Sequence, residues 1–287
     1  MTILVSGATG NIGRHVVRRL AADGREVRAL TRAPATAAPP PGVTVAEGDL
    51  ARPETLRAAL AGVSAMLLFP VADAVDEVVA LAADAGVRRI VVLSSAAVTA
   101  GYDTDYHLPV ERAVERSGLE WTHVRPGEFA LNSLQLWGPS VREGRRVVDI
   151  APDEPGIPVH EADIADVAVA ALTEDRHTGR AYDISGPSAV TPRERVAAIA
   201  AAIGEPVRLE TVTQEEALAF YRRQGGWAAE NAEFIFGFED YSGTPIEEGE
   251  PAYEGLDSVP WLTAAEVTGG VSRDFAEWAR DHAADFR

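Results

Sequence analysis

Short, nearly continuous apolar runs alternate with amphipathic segments along the first two thirds of the chain. Such runs are typical of strands buried on both faces, whereas apolar residues spaced three or four positions apart are typical of helices. The strands that this pattern predicts cover residues 2–6, 26–30, 43–46, 65–69, 89–93, 121–124 and 181–185. The predicted helices cover residues 12–22, 54–61, 73–85, 106–117 and 163–173. The alternation predicts the α/β class, with a doubly wound parallel sheet covered by helices on both faces.

The character of the chain changes in its last third. Twelve of the 19 aromatic residues lie between Phe220 and the C-terminus, together with an excess of acidic residues. We therefore expect a main domain over residues 1–150, to which the elements at 163–173 and 181–185 return. A smaller C-terminal α/β lobe is expected over residues 190–287.

Composition restricts the partners of the protein. Its formal charge of −18 would repel a nucleic-acid backbone, and the basic residues form no cluster along the chain, so no nucleic-acid partner is expected. No apolar run approaches the roughly 20 residues that a membrane-spanning helix needs. The chain also begins directly with a strand-like run rather than a charged leader, and we expect a cytoplasmic protein without a membrane contact.

Composition also restricts the chemistry. The chain has no cysteine, which excludes disulfides and thiolate catalysis. All 26 basic residues are arginine, so no lysine can form a Schiff base or activate a catalytic tyrosine. The six histidines show no ligand spacing with carboxylates, and no metal is expected.

A glycine-rich segment stands where the first strand gives way to the first helix. A backbone that passes close to a pyrophosphate has no room for side chains, and amides at a helix N-terminus supply hydrogen bonds and a favourable dipole. Glycines also serve helix caps and tight turns, but the position between a strand and a helix favours a dinucleotide site. The residues expected to bind the cofactor there are Gly7, Thr9, Gly10, Asn11, Ile12 and Gly13.

The end of the second strand indicates which dinucleotide binds. An acidic residue at this point would hold the ribose 2′-hydroxyl of NAD(H), whereas the chain has Thr31 and Arg32. A guanidinium forms charge-assisted hydrogen bonds with a 2′-phosphate, so NADP(H) is favoured and NAD(H) is the less favoured alternative. Arg14 is a second candidate for this phosphate, and a merely solvated Arg32 is the other interpretation.

The segment after the third strand offers contacts for the adenine. Asp49 is expected to accept a hydrogen bond from the adenine amino group, and Leu50 is expected to cover the ring. A helix-capping role for Asp49 is the alternative.

With these motifs the chain resembles the NmrA-like branch of the atypical short-chain dehydrogenase/reductase family. The resemblance covers about residues 1–200 and includes the glycine segment, Arg32, Gly48-Asp49-Leu50, Leu93-Ser94-Ser95, Arg125-Pro126-Gly127 and residues 163–168. It implies a Rossmann domain that binds NAD(P) across the carboxyl ends of the strands, and a small lobe that closes a substrate cleft.

The resemblance also implies that the catalytic dyad of the wider family is missing. Classical members carry a tyrosine and a lysine that lowers the tyrosine pKa. In extended members the lysine precedes a helix glutamate by four residues, and with Glu111 as that glutamate the two positions hold Asp103 and His107. His107 is expected to donate a proton or to bind the nicotinamide ribose, unless it faces solvent at a helix start. The candidate catalytic residues are His107, Tyr106, Tyr102 and Ser95.

Further candidates follow the ends of later strands. Phe69 is expected to pack on the cofactor or in the core. Ser94 and Ser95 are expected to turn their hydroxyls to the cofactor or only to satisfy turn amides. Phe129 and Asn132 are expected on the nicotinamide side of the cleft, as substrate contacts. Trp227 is a candidate substrate-lobe aromatic, as are Tyr221 and Phe234, although aromatic residues at such spacings also build cores.

We interpret the chain as a NADP(H)-dependent oxidoreductase that reduces a small carbonyl, quinone-like or aromatic compound. A non-catalytic NADP(H)-sensing regulator with a protein partner is one alternative, and an NAD(P)-dependent epimerase or isomerase is another. The missing dyad favours the regulator, whereas the aromatic lobe favours a substrate pocket. The expected partner is a small-molecule substrate, with a homodimer or a protein partner left open.

Overall fold

A computed structural model describes residues 1–239, 243–246 and 258–287 of the protein. Within them the strands are β1 (Thr2–Val5), β2 (Glu26–Thr31), β3 (Thr44–Glu47), β4 (Val63–Leu68), β5 (Arg89–Leu93), β6 (Glu120–Pro126), β7 (Arg146–Asp149), β8 (Arg180–Ile184) and β9 (Arg208–Thr211). The helices are α1 (Gly13–Ala22), α2 (Arg57–Leu60), α3 (Val75–Asp84), α4 (Ala97–Ala100), α5 (His107–Arg116), α6 (Leu131–Gly144), α7 (Glu161–Thr173), α8 (Pro192–Ile203), α9 (Gln214–Gln224), α10 (Gly226–Ile235), α11 (Ala264–Thr268) and α12 (Phe275–Asp281).

The described residues form two compact units. Unit 1 contains Met1–Pro126, Glu161–Ile184 and Pro260–Gly270, and unit 2 contains Gly127–His160, Ser185–Val259 and Val271–Arg287. This division differs from the sequence expectation because residues 127–150 belong to unit 2. There β7 pairs in parallel with β9, a strand that lies far along the chain.

Unit 1 is built on a parallel sheet whose described strands follow the order β3-β2-β1-β4-β5-β6-β8. This is the Rossmann strand order with β8 added at one edge, and it confirms the predicted doubly wound α/β fold. The order reverses between β1 and β4, which are neighbours in the sheet. In sheets of this kind the ligand binds outside the carboxyl ends of the strands at that reversal.

The central strands of unit 1 are buried on both faces, as their unbroken apolar runs predict. Every residue of β5 is buried, and Ile3 and Leu4 of β1 are fully inaccessible. One face of the sheet packs on apolar residues from α2, α3 and α5. Helix α7 packs on β4, β5 and β6 and also against α1. The sheet therefore holds the ends of its strands in a fixed arrangement.

One predicted helix of unit 1 is much shorter in the structure. Residues 54–61 form a 3-10 turn over Pro53–Leu56 followed by the single turn of α2. Pro53 starts the turn, and Gly62 has a φ of 73° that only glycine adopts readily, so the helix has no room to continue.

Unit 2 packs its helices and its two-stranded sheet around an aromatic core. Trp278, Tyr221 and Phe286 are fully buried there. The hydroxyl of Tyr221 donates a hydrogen bond to the carbonyl of Val148 at 2.6 Å. Tyr221 is therefore a core residue, and its interpretation as a substrate contact is wrong.

None of the helices in the described ranges is both long and apolar enough to cross a membrane.

Candidate functional site

The turn between β1 and α1 leaves no room for side chains at two of its glycines. A Cβ atom on Gly13 would lie 2.1 Å from the carbonyl oxygen of Gly7, and one on Gly7 would lie 2.9 Å from the ring of Phe69. Gly7 also has a φ of 57°, in the left-handed region. The amide of Gly10 donates to the carbonyl of Gly7 at 2.9 Å, which closes the turn.

The N-terminus of α1 is suited to an anion. Its N-cap residue is Ile12, and no side chain of the described residues caps the helix there. The first turn contains no acidic residue. The amides of Arg14 and His15 already donate to the carbonyls of Gly10 and Ile12, so the amides that precede them, from Asn11 to Gly13, are the ones that an anion could meet. Thr9 and Asn11 are exposed beside these amides, whereas Ile12 and Gly13 are buried. A glycine turn that leads into an uncapped helix fits the pyrophosphate of a dinucleotide.

A buried serine holds the ends of β1 and β4 together. Ser6 is fully inaccessible, and its hydroxyl donates to the carbonyl of Leu67 at 2.8 Å. The same oxygen accepts the amide of Phe69 at 2.9 Å. These two bonds fix Phe69 against Gly7, at the point where the strand order reverses. Ser6 was not among the predicted site residues, although its place before Gly7 could have indicated it.

The ends of β2 and β3 border a cavity of about 280 Å³. Its lining residues are Arg32, Glu47, Gly48, Asp49, Arg52 and Thr55. The Arg32 side chain is exposed to solvent beside it. The cavity thus carries two guanidinium groups, of which the sequence predicted only one.

Asp49 positions the guanidinium of Arg52. Its carboxylate accepts the amide of Ala51 at 3.1 Å and Nε of Arg52 at 3.3 Å. The Ala51 amide, helped by the charges of Arg52 and Arg32, holds the pKa of Asp49 below its usual value against a smaller opposing effect of burial. Arg52 was not among the predicted site residues, although its i,i+3 spacing from Asp49 could have indicated the pair. Leu50 is partly buried and packs against the core of unit 1.

The two serines that follow β5 are oriented by backbone contacts. The amide of Ser94 donates to the carbonyl of Val124 at 2.7 Å, and Ser94 is buried. The hydroxyl of Ser95 accepts the amide of Ala97 at 3.2 Å. Ser95 therefore satisfies a turn amide, which was the alternative interpretation of these serines.

A buried polar network joins α5 to the ends of β6 and β8. The guanidinium of Arg125 donates to both carboxylate oxygens of Glu111 and to the hydroxyl of Thr99. Thr99 in turn donates to Asp183 at 2.6 Å. Burial raises the pKa of Glu111, but the hydrogen bonds and charge of Arg125, together with His123 and Ser94, outweigh it and the net pKa lies below the usual value. For Asp183 burial outweighs the hydrogen bond from Thr99, and its pKa is raised.

Asp103 and His107 form a pair at the start of α5. Asp103 is fully inaccessible and accepts the backbone amides of His107 at 2.8 Å and Tyr106 at 3.1 Å. Its second oxygen is hydrogen-bonded to Nδ1 of the His107 ring. Only 14% of the His107 side chain is exposed, so the ring does not face solvent.

The tyrosines predicted with His107 lie on the same segment. Tyr106 is half exposed, and its ring meets the His107 ring edge to face at 4.8 Å. The amide of Tyr102 donates to the carbonyl of Ala97 at 2.9 Å, and that of Asp103 donates to the same oxygen at 3.1 Å. These bonds tie the segment to α4, directly after the carboxyl end of β5.

The candidate substrate residues belong to unit 2. Phe129 bridges to Val159 and is partly buried against the core of that unit. The backbone amide of Asn132 donates to the carbonyl of Phe129 at 3.0 Å. Trp227 in α10 is partly buried against the same core, and Phe234 lies on the same helix. Their contact with a substrate stays a prediction.

Comparisons with known proteins indicate the family of the chain. The family model described as NAD(P)H-binding matches residues 7–175. The chain is 37% identical to the (4-alkanoyl-5-oxo-2,5-dihydrofuran-3-yl)methyl phosphate reductase of Streptomyces griseus and 36% identical to the NAD(P)H azoreductase of Xenophilus azovorans, over 99% of each chain. Its fold matches the crystal structure of the Citrobacter sp. triphenylmethane reductase complexed with NADP(H). That match has a TM-score of 0.73 and 23% identity, and it covers 99% of this chain and all of the other.

Proposed function

The chain belongs to the NAD(P)H-binding family, and from this premise we propose that it is a NADPH-dependent reductase of a small carbonyl, quinone-like or aromatic compound. The predicted NmrA-like, short-chain dehydrogenase/reductase character and the NAD(P)H cofactor are confirmed by the family match. The oxidoreductase class is confirmed by two relatives that match nearly the whole chain and are reductases. These relatives do not support the alternative of an epimerase or isomerase.

The single observation that carries the proposal is the turn between β1 and α1. In this turn Gly13 lies so close to the carbonyl of Gly7 that there is no room for a Cβ atom. The turn leads into a helix whose first turn has no acidic residue. Thr9, Gly10 and Asn11 lie on its exposed side, where a pyrophosphate would meet the helix amides. When bound, NADPH supplies a hydride from its nicotinamide to the substrate.

The preference for NADP(H) is supported by the cavity at the ends of β2 and β3. Arg32 and Arg52 both line it, and two guanidinium groups suit a 2′-phosphate better than a 2′-hydroxyl. Glu47 lines the same cavity and opposes an anion there. Because these charges oppose one another, we expect NADPH to bind more tightly than NADH without NADH being excluded.

A reduced carbonyl also needs a proton on its oxygen, and His107 is the candidate donor. It lies on the segment that follows β5, at the carboxyl edge of the sheet, where a Rossmann domain binds its ligand. Tyr106 and Tyr102 are the other hydroxyl-bearing candidates of this segment, with Ser95 already bound to a backbone amide.

A sensing regulator remains the second candidate because one feature favours it. The two positions of the family dyad hold Asp103 and His107 instead of tyrosine and lysine. A regulator would bind NADPH and a protein partner without turnover. A homodimer and a cytoplasmic location stay predictions.

One experiment distinguishes a reductase from a regulator. Binding of NADPH to the purified protein is measured by calorimetry, and its oxidation by absorbance with quinones, azo dyes, aromatic ketones and unsaturated lactones. A reductase binds NADPH and oxidises it with at least one class of compound. Tight binding without oxidation in every arm would favour the regulator, and absence of binding would overturn both proposals.

A further inference from the structure

We propose that Asp103 is the positioning residue of the reductase, and that it fixes the His107 ring as a proton donor through Nε2. The inference rests on the proposed function, because it identifies the group that supplies the proton required by the reduction. In effect a carboxylate and an imidazole occupy the two positions where the wider family has a tyrosine and a lysine.

The contacts of the carboxylate define the state of the ring. An ionised carboxylate only accepts hydrogen bonds, so the contact between Oδ2 of Asp103 and Nδ1 of His107 requires a proton on Nδ1. Nε2 then lies on the opposite edge of the ring. A second proton on Nε2 makes the imidazolium, which is the form that can donate a proton to a substrate oxygen.

Asp103 is held in its ionised form by the same contacts. Burial raises the pKa of its carboxyl, but hydrogen bonds from the ring and the backbone amide of His107 outweigh it, and the net pKa is below its usual value. A fully inaccessible carboxylate needs such partners, because an unpaired buried charge is costly. The pair is therefore ordered before any substrate binds.

The backbone keeps this pair next to the end of β5. The amides of Tyr102 and Asp103 both donate to the carbonyl of Ala97, which lies two residues after Ser95. Oδ1 of Asp103 accepts the amides of Tyr106 and His107, so the same side chain ends the loop and starts α5. His107 thus has little freedom to turn away from the strand ends.

The proton transfer is balanced by solvent. Addition of a hydride to a carbonyl carbon leaves an electron pair on the oxygen. The bond between Nε2 of His107 and its proton breaks as the oxygen–hydrogen bond forms, and the ring becomes neutral. Water returns a proton to His107 before the next turnover.

The substitution Asp103→Asn separates positioning from folding. Asparagine keeps Oδ1, which accepts the two backbone amides, but it replaces Oδ2 by an amino group that only donates. The ring would then accept at Nδ1 and carry its single proton on Nε2, and a neutral imidazole is a much weaker acid. We expect kcat to fall by about 10²-fold or more, with unchanged affinity for NADPH.

Asp105→Asn is the matched control, since it removes the same charge from an exposed position of the same loop. It should change kcat less than about twofold. Nuclear magnetic resonance of ¹⁵N-labelled histidine should show a strongly downfield Nδ1 proton for His107 in the wild type and in Asp105→Asn. This signal should be lost in Asp103→Asn.

The double variant completes the test. If Asp103 acts through the ring, His107→Ala and Asp103→Asn/His107→Ala should have the same kcat. Additive losses, an equal loss of NADPH affinity, or a wild-type kcat in Asp103→Asn would each overturn the positioning role while leaving the reductase function in place. If the wild type binds NADPH but reduces no compound, the proposed function fails together with the inference.

Discussion

Gly13 lies so close to the carbonyl of Gly7 that a Cβ atom on Gly13 would be 2.1 Å from that oxygen. Substitution of Gly13 by alanine must therefore push the turn between β1 and α1 apart. We expect Gly13→Ala to weaken NADPH binding by at least about tenfold and to lower stability by about 1–3 kcal/mol. Calorimetry and chemical denaturation measure the two effects.

Gly144→Ala is the control for this substitution. Gly144 ends α6 in unit 2, and a Cβ atom there would meet nothing within 4 Å. It should leave NADPH affinity unchanged. Equal NADPH affinity of Gly13→Ala and the wild type would remove the glycine turn from the cofactor site.

Arg32 and Arg52 should separate the two pyridine nucleotides. Hydrogen bonds to a charged group contribute about 1.5–3 kcal/mol, so Arg32→Ala should lose about tenfold or more in NADPH affinity and little in NADH affinity. Arg52→Ala should show the same selectivity with a smaller loss, because Asp49 already neutralises part of its charge. Arg57→Ala removes an exposed arginine of α2 that does not line the cavity and serves as control.

Titrations at several salt concentrations give a second measure of the same contacts. Each lost phosphate contact should reduce the salt dependence of NADPH binding. Losses that are equal for NADPH and NADH would show that the two arginines do not meet the 2′-phosphate.

The fold and the glycine turn could be predicted because their signals are local. Apolar runs such as that of β5 identify a buried strand without knowledge of its neighbours. A glycine turn between a strand and a helix likewise carries its own structural context in the sequence. Arg32 was predicted for the same reason, since it directly follows β2.

The features that were missed depend on contacts between distant segments. Ser6 acts through the carbonyl of Leu67, and β7 joins unit 2 through its pairing with β9. From the sequence, Asp103 was noted only as the residue that stands in place of the tyrosine of the family dyad. Its pairing with His107 depends on the loop geometry around Ala97, which periodicity does not reveal.

Ser6→Ala tests whether the packing at the ends of β1 and β4 affects the affinity for NADPH. The substitution removes the hydroxyl that donates to the carbonyl of Leu67 and accepts the amide of Phe69. The Phe69 amide then loses this hydrogen bond. We expect a loss of about 1–3 kcal/mol in the free energy of unfolding and a several-fold loss of NADPH affinity. Denaturation and calorimetry measure these two quantities.

The control for Ser6 lies at the opposite end of the same two strands. Ser64 on β4 donates to the carbonyl of Thr2 at 3.3 Å. Ser64→Ala should lower stability slightly without changing NADPH affinity. Identical affinity losses for both variants would mean that the effect of Ser6 is global.

The pair of Glu111 and Arg125 should determine part of the acid sensitivity of unit 1. Glu111 is almost fully buried, and Glu111→Gln would leave the Arg125 guanidinium without its counter-charge. Breaking a buried pair in this way costs about 3–5 kcal/mol. The exposed Glu77 on α3 offers the control, and Glu77→Gln should cost less than about 1 kcal/mol.

The pH dependence of this loss follows from the direction of the shift. The pKa of Glu111 is lower in the folded protein than in the unfolded chain. Its stabilising effect is therefore complete above the unfolded pKa and is lost as the pH falls through the folded one. Denaturation at a series of pH values should show the wild type and Glu111→Gln converging in acid. A stability difference that stays constant across that range would mean that the carboxylate charge of Glu111 does not stabilise the fold.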